Sequence, residues 1–244
     1  MSEGTEAAPV LLRADGVGKR FGGFVALQGI DIKLRAGERL GLIGPNGSGK
    51  STFVNCVSGD FAQHDGTVAL AGQALNGLKP HRRARLGLAR TFQLPQPFAS
   101  MSVLENVRVP LLFSGGAAAA TARAMGCLEQ VEMAGKAGKL PRELTQVEQR
   151  RLELARAIAM DPRLLIADEA MAGLSHAEVD QILTLLRRLN AAGTAVIMIE
   201  HIMRAVTEFS ERLVVFVAGR KIADGPPREV LALPEVEDAY LGRQ

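Results

Sequence analysis

Long apolar runs, cysteines and net charge are all scarce in this chain of 244 residues. No apolar stretch approaches the roughly 18 residues needed to span a bilayer. The most apolar candidate, residues 109–120, is short and broken by Ser114-Gly115-Gly116. A membrane role must therefore come through a partner. The two cysteines, Cys56 and Cys127, lie far apart with no metal-ligand spacing, so they are expected as reduced thiols in a cytosolic protein. A net charge of only +3 implies no strong nucleic-acid footprint. The opening Met1-Ser2-Glu3-Gly4-Thr5-Glu6 has neither a basic end nor an apolar core. It is not expected to act as a secretion signal, and the chain up to about Pro9 is expected to be a disordered lead. What remains is a globular composition, 47% hydrophobic and 23% charged. It suits one large domain, or one domain with an inserted subdomain.

The stretch around which the chain is organised is Gly44-Pro45-Asn46-Gly47-Ser48-Gly49-Lys50-Ser51-Thr52. It fits the phosphate-loop pattern of glycine, four residues, then glycine-lysine-serine. Leu40-Gly41-Leu42-Ile43 leads in as a buried strand, and Thr52-Phe53-Val54-Asn55-Cys56-Val57 leads out as a helix. Wrapping a polyphosphate with backbone N–H groups requires that side chains stay out, which glycine permits. The helix start aims its positive dipole end at the phosphates. Lys50 is expected on the terminal phosphates, and the Ser51 hydroxyl on Mg²⁺.

Two strands precede the loop, at residues 10–14 and 29–34, the second alternating with Ile30, Ile32 and Leu34 on one face. Phe21, before a glycine pair, either stacks on a nucleotide base or plugs the space under a turn. Another strand is expected over 66–72. Lys79, His81, Arg82, Arg83 and Arg85 form a basic run. It reads as a solvated helix face, or as a contact for lipid headgroups or a membrane subunit. A strand ends near Gln93, and Pro95 stops it. The Gln93 amide can reach a metal ion or a water, or simply face solvent.

From about Val103 to Met160 the pattern is mostly helical, with a small-residue loop at 115–120 and an apolar stripe on Leu152, Leu154, Ala155, Ile158 and Ala159. Leu164-Leu165-Ile166-Ala167-Asp168-Glu169 is a buried strand ending in two carboxylates, and ligands sit at the carboxyl ends of strands in open α/β sheets. Asp168 is expected to hold Mg²⁺. Glu169 is expected to orient or deprotonate the attacking water. Ser175-His176-Ala177-Glu178 is a capping box opening a helix. Residues 194–199 form a buried strand closing on Glu200-His201, and His201 can meet a γ-phosphate as donor. Residues 213–217 and 220–222 make a closing hairpin on Ala218-Gly219. A short helix and tail follow from Arg228. The expected fold is α/β: a P-loop NTPase core with a mainly parallel sheet, an N-terminal antiparallel β region and an inserted α-helical subdomain. The expected divisions are 10–94 and 161–244 for the core and 95–160 for the insert.

With these motifs in this order, the chain resembles the ATP-binding subunits of ABC transporters. The aromatic loop falls at Phe21, Walker A at 44–51, the glutamine loop at Gln93 and Walker B at 164–168. Glu169 and the switch histidine His201 complete the set. Arg90-Thr91-Phe92-Gln93, Met171-Ala172-Gly173-Leu174 and Tyr240-Leu241-Gly242 look most like the branched-chain amino-acid importers. The resemblance implies ATP and Mg²⁺ as cofactors, and Gln93 beside Ser51 and Asp168 at the metal. It implies a head-to-tail dimer with a second ATP-binding subunit, and transmembrane permease subunits docked near the glutamine loop. A solute-binding protein is an indirect partner. The place implied is the cytoplasmic face of the inner membrane, peripheral through the permeases.

The family signature reads Leu-Ser-Gly-Gly-Gln, whereas this chain has Leu144-Thr145-Gln146-Val147-Glu148. Thr145 keeps the hydroxyl. Val147 adds bulk where backbone must approach the partner's γ-phosphate. Glu148 brings negative charge there, opposed by the helix dipole. Ala170 and Ser175 stand where proline and aspartate are usual. An asymmetric pair is expected, with this chain's Walker motifs working against a better signature on a different partner. The competing functions are an ATPase serving a lipid or lipopolysaccharide exporter, and a low-turnover ATP-binding clamp. A soluble kinase or GTPase explains neither the helical insert nor His201.

Overall fold

In a computed structural model, residues 8–92, 95–113 and 119–241 are described. Gln93, Gly242, residues 1–7 of the expected lead and 115–118 of the expected small-residue loop lie outside them.

The chain opens with a long antiparallel pair, β1 (Val10–Phe21) and β2 (Phe24–Arg35). Both strands outrun their expected limits. Charged residues and glycines interrupt the alternation after Ala14, but a register shift between Ala14 and Val17 restores pairing. The Gly16 amide at that bulge donates to Asp31 Oδ1 at 2.7 Å. A bulge hides a strand from a two-residue period while preserving its ladder. With β4 (Asp65–Leu70) and β5 (Gln73–Ala74) these strands form, among the described residues, a four-stranded sheet in the order β2-β1-β4-β5.

The second sheet has six strands among the described residues. These are β3 (Arg39–Ile43), β6 (Leu88–Arg90), β7 (Leu164–Asp168), β8 (Ala195–Ile199), β9 (Arg212–Val217) and β10 (Arg220–Gly225), in the order β10-β9-β3-β8-β7-β6. All neighbours pair in parallel except β10, which forms the expected hairpin with β9. β6 ends at Arg90, earlier than the expected strand end near Gln93. The P-loop NTPase core and the antiparallel N-terminal region are as the sequence indicates.

Side chains of the large sheet alternate between two cores. Leu40, Leu42, Leu164, Ile166, Ile197 and Ile199 face the N-terminal sheet, together with Phe53, Val54, Cys56 and Val57 of α1 (Lys50–Ser58). Leu165, Ala167, Val196 and Met198 face the opposite way. That second core holds α3 (Val103–Phe113), α4 (Ala120–Gln130), α5 (Gln146–Ile158), α6 (His176–Ala191) and α7 (Met203–Phe209). The helix after the phosphate loop is therefore clasped between two sheets. Helices α3, α4 and α5 arise between β6 and β7 and pack on one another.

The basic run forms α2 (Pro80–Arg85). Lys79, His81, Arg82 and Arg85 are exposed, but Arg83 is 2% exposed, which corrects its reading as part of a solvated face. Its guanidinium donates to the carbonyls of Cys56 at 2.7 Å, Val57 at 2.8 Å and Leu78 at 2.9 Å. Cys56 and Val57 lie in the last turn of α1, where carbonyls lack helical partners and the dipole is negative. A cation there satisfies both needs. Replacing Arg83 with methionine strands these buried carbonyls. We expect a loss of about 3 kcal/mol, seen as a thermal midpoint lowered by roughly 6–12 °C. Circular dichroism melting of the two proteins checks it, and coincident melts refute the capping role.

Candidate functional site

After Arg39, β3 is apolar and buried up to Gly44. At Gly44, φ is 151°, and a Cβ would stand 2.2 Å from the Phe216 carbonyl oxygen. Gly49 caps α1 at φ 104°, where a Cβ would lie 2.8 Å from the Ala26 oxygen. Both glycines are required by the backbone that encloses the loop. Ser48 Oγ is buried inside it with no hydrogen-bond partner among the described residues. Asn46, Gly47 and Ser51 are exposed, with Pro45 and Thr52 half-buried. Lys50 folds back, its Nζ donating to Gly44 O at 2.6 Å and Pro45 O at 3.1 Å. Burial lowers the pKa of this amine, while the negative charges of Glu169 and Asp168 act to raise it.

β7 carries Asp168 at its buried end, with Oδ2 2.7 Å from Arg90 Nη2. Glu169 follows at φ 47°, a left-handed conformation uncommon outside glycine. Its amide donates to Ile199 O of β8 at 2.9 Å. His201, just past β8, is half exposed and places Nε2 2.9 Å from Glu169 Oε1. Three adjacent parallel strands, β3, β8 and β7, thus deliver Lys50, His201, Glu169 and Asp168 to one edge of the sheet. No group of three or more His, Cys, Asp or Glu side chains among the described residues can hold a metal ion alone. One hydroxyl at Ser51 and one carboxylate at Asp168 match an ion such as Mg²⁺, which draws its other ligands from phosphates and water.

Phe21 packs edge-on against Phe61, ring centroids 5.4 Å apart, with the Lys19 ammonium over both rings. It remains 44% exposed, so the contact with Phe61 leaves much of the ring open to a base. Tyr240 receives a hydrogen bond from the Gly44 backbone, and burial raises its pKa.

The signature stretch is tied internally. Thr145 caps α5, and the Thr145 amide donates to Glu148 Oε2 at 3.0 Å. The other Glu148 oxygen pairs with the Lys136 ammonium. The charge of Glu148 is thereby held by a cap and a cation, a counterweight that sequence reading did not supply. Val147 is half-buried against the helical core. Gln146 lies over Gly173 and donates to Ala172 O at 3.2 Å, linking α5 to the loop after Glu169.

Other residues escaped the sequence reading. In α5, Glu153 Oε1 accepts from the Phe92 amide at 2.9 Å and Arg150 donates to Phe92 O at 3.1 Å. Arg156 donates to Gln96 O at 2.8 Å. One helix thus grips both sides of the segment containing Gln93. Beside it, a cavity of about 530 Å³ is lined by His81, Ala84, Arg90, Phe92, Val109 and Arg156.

Glu200 is 3% exposed and accepts from the Met171 amide at 2.9 Å. Burial, with the charge of Glu169, raises its pKa to about 7. Because the folded value exceeds the ordinary 4.5, the folded state holds this proton more tightly. The resulting penalty is absent below about pH 4.5, grows through the interval and is complete above pH 7. Glu200→Gln retains an acceptor for Met171 and removes the charge. It should raise stability by up to about 3 kcal/mol at pH 8 and by much less at pH 5. Thermal unfolding at both pH values checks this; a gain that does not grow with pH refutes it.

Comparisons with known proteins bear on this arrangement. Residues 27–172 match the family described as ABC transporter. The high-affinity branched-chain amino acid transport ATP-binding protein LivG of Salmonella typhimurium is 36% identical, with 95% of this chain and 98% of LivG covered. The ADP conformation of MJ1267, an ATP-binding cassette of an ABC transporter, superposes with a TM-score of 0.89 at 29% identity, covering 97% of this chain and 100% of that one. A dimeric post-hydrolysis state of the cassette MJ0796, bound to ADP and Pi, gives a TM-score of 0.80 at 26% identity, covering 89% and 99%. A loop built for phosphates, two carboxylates and a histidine at one sheet edge, and similarity along almost the whole length agree: the chain belongs to the ABC transporter family.

Proposed function

We propose that this chain is the ATP-binding and hydrolysing subunit of an ABC importer for branched-chain amino acids or similar small polar solutes. The observation that carries the reading is the convergence of Lys50, Asp168, Glu169 and His201 at the ends of three adjacent strands, in a chain similar to LivG along 95% of its length. In this reading, residues 10–94 and 161–244 form the nucleotide-binding core, and 95–160 carry the signature to a second subunit.

Amides of residues 44–52 and the α1 dipole bind the phosphates. Lys50 exchanges its loop carbonyls for the terminal phosphate oxygens. Ser51, Asp168 and Gln93 would hold Mg²⁺, which when bound would supply charge neutralisation to the phosphates. Phe21 stacks on the base. Glu169 accepts a proton from, or orients, the attacking water, and His201 fixes the Glu169 carboxylate while facing the γ-phosphate. Thr145, Val147 and Glu148 face the nucleotide of the second subunit in a head-to-tail dimer. Permease subunits dock a helix in the cavity beside Phe92, placing the protein on the cytoplasmic face of the membrane. The solute is delivered by a binding protein on the other side.

Glu169→Gln should lower ATP turnover by about 100-fold or more while nucleotide binding persists. ATPase activity and leucine uptake in proteoliposomes that hold the permeases and both ATP-binding subunits, with the solute-binding protein supplied, test the whole reading. Uptake without ATP hydrolysis, or hydrolysis that no permease stimulates, refutes it.

The slow-clamp reading has one specific observation behind it, the β-branched Val147 in the signature. Since Lys136 already pairs with Glu148, bulk rather than charge is the obstacle. Val147→Gly should then raise turnover severalfold, whereas Glu148→Gln changes it by about twofold or less. Steady-state ATPase rates separate the two effects, and a larger gain from Glu148→Gln reverses the assignment.

A further inference from the structure

Arg90 closes β6, and its side chain is only 12% exposed. Each end of its guanidinium is engaged. Nη2 donates to Asp168 Oδ2 at 2.7 Å, while Nη1 donates to Asn55 Oδ1 at 2.6 Å and Asp60 Oδ2 at 3.1 Å. The group also lies over the Phe92 ring, 5.2 Å from its centroid. A planar, always charged fork held at both ends is a rigid strut. Asn55 belongs to α1 and follows Ser51 by four residues, so the two share a helix face. Asp168 ends β7. The strut therefore joins the helix face that bears Ser51 to the strand end that bears Asp168.

We infer that Arg90 is the positioning residue that sets the separation of Ser51 and Asp168 for a divalent cation. This inference rests on the reading of those two residues as its ligands. Oδ2 of Asp168 is fixed by the guanidinium, which sets the orientation of the carboxylate at the end of β7. The charge balance permits it. Asp60 offsets the arginine, so the cluster of Arg90, Asp60 and Asp168 still presents one net negative charge to the ion. Groups that orient a metal ligand from behind commonly alter metal affinity without touching the metal.

The test uses the full chain freed of metal by EDTA and a fluorescent ATP analogue, with binding followed as Mg²⁺ is added. Arg90→Met should raise the Mg²⁺ concentration for half-maximal enhancement of binding roughly tenfold. Affinity for the analogue without Mg²⁺ should stay within about twofold, because phosphate binding by the loop does not pass through Arg90. Arg90→Lys keeps the charge but cannot span all three partners, and should recover only part of the loss. Asn55→Ala cuts the α1 anchor alone and should shift the requirement in the same direction; it decides the matter if Arg90→Met fails to fold. An unchanged or lowered Mg²⁺ requirement in folded Arg90→Met, or in Asn55→Ala when Arg90→Met does not fold, overturns the inference. Asp168→Asn distinguishes the two levels. If it abolishes the Mg²⁺ effect while Arg90→Met does not, only the role of Arg90 fails. If Asp168→Asn leaves the effect intact, the ligand assignment fails and the inference with it.

Discussion

Strands β3, β7 and β8 are covered on both faces, by an antiparallel sheet and α1 on one side and by helices on the other. A strand in that position has no face on which a polar side chain meets water, so it stays apolar until the chain leaves the sheet. Polar chemistry is then forced to the ends. β3 releases into the phosphate loop, β7 ends in Asp168 and Glu169, and β8 runs into Glu200 and His201. Because the strands are parallel neighbours, those ends coincide. The location of the site is thus a consequence of how the core is buried, and the individual side chains refine it.

The second organising element is α5. Its N-terminus is offered to another subunit in the proposed dimer. Its middle holds the backbone on both sides of the segment around Gln93 through Arg150, Glu153 and Arg156. Gln146 ties the same helix to the loop after Glu169. A displacement of α5 would thus be felt in the glutamine segment and beside the carboxylate together.

Legibility from sequence followed the range of each interaction. The phosphate loop, the paired carboxylates at 168 and 169, and the capping box at Ser175 are local patterns, and their strand and helix contexts are found in place. The capping box closes as read, with the Ser175 amide donating to Glu178 Oε2 at 2.8 Å. Arg83, Arg90 and Lys136 were opaque because their partners lie far along the chain: Cys56 for the first, Asn55 and Asp168 for the second, Glu148 for the third. Nothing near an arginine in sequence says that it turns inward. The lengths of β1 and β2 were missed for a different reason, since a bulge breaks the period that marks a strand. The charge of Glu148 was legible, but the ion pair that holds it was not.

The division of α2 has a consequence for ionic strength. Lys79, Arg82 and Arg85 stand in solvent, so their attraction for any charge is largely screened beyond a Debye length of about 8 Å at physiological salt. Arg83, one position away, is sealed against the end of α1 and is screened far less. Added salt would loosen an acidic partner from the outside of this helix and leave the phosphate-loop helix anchored from within.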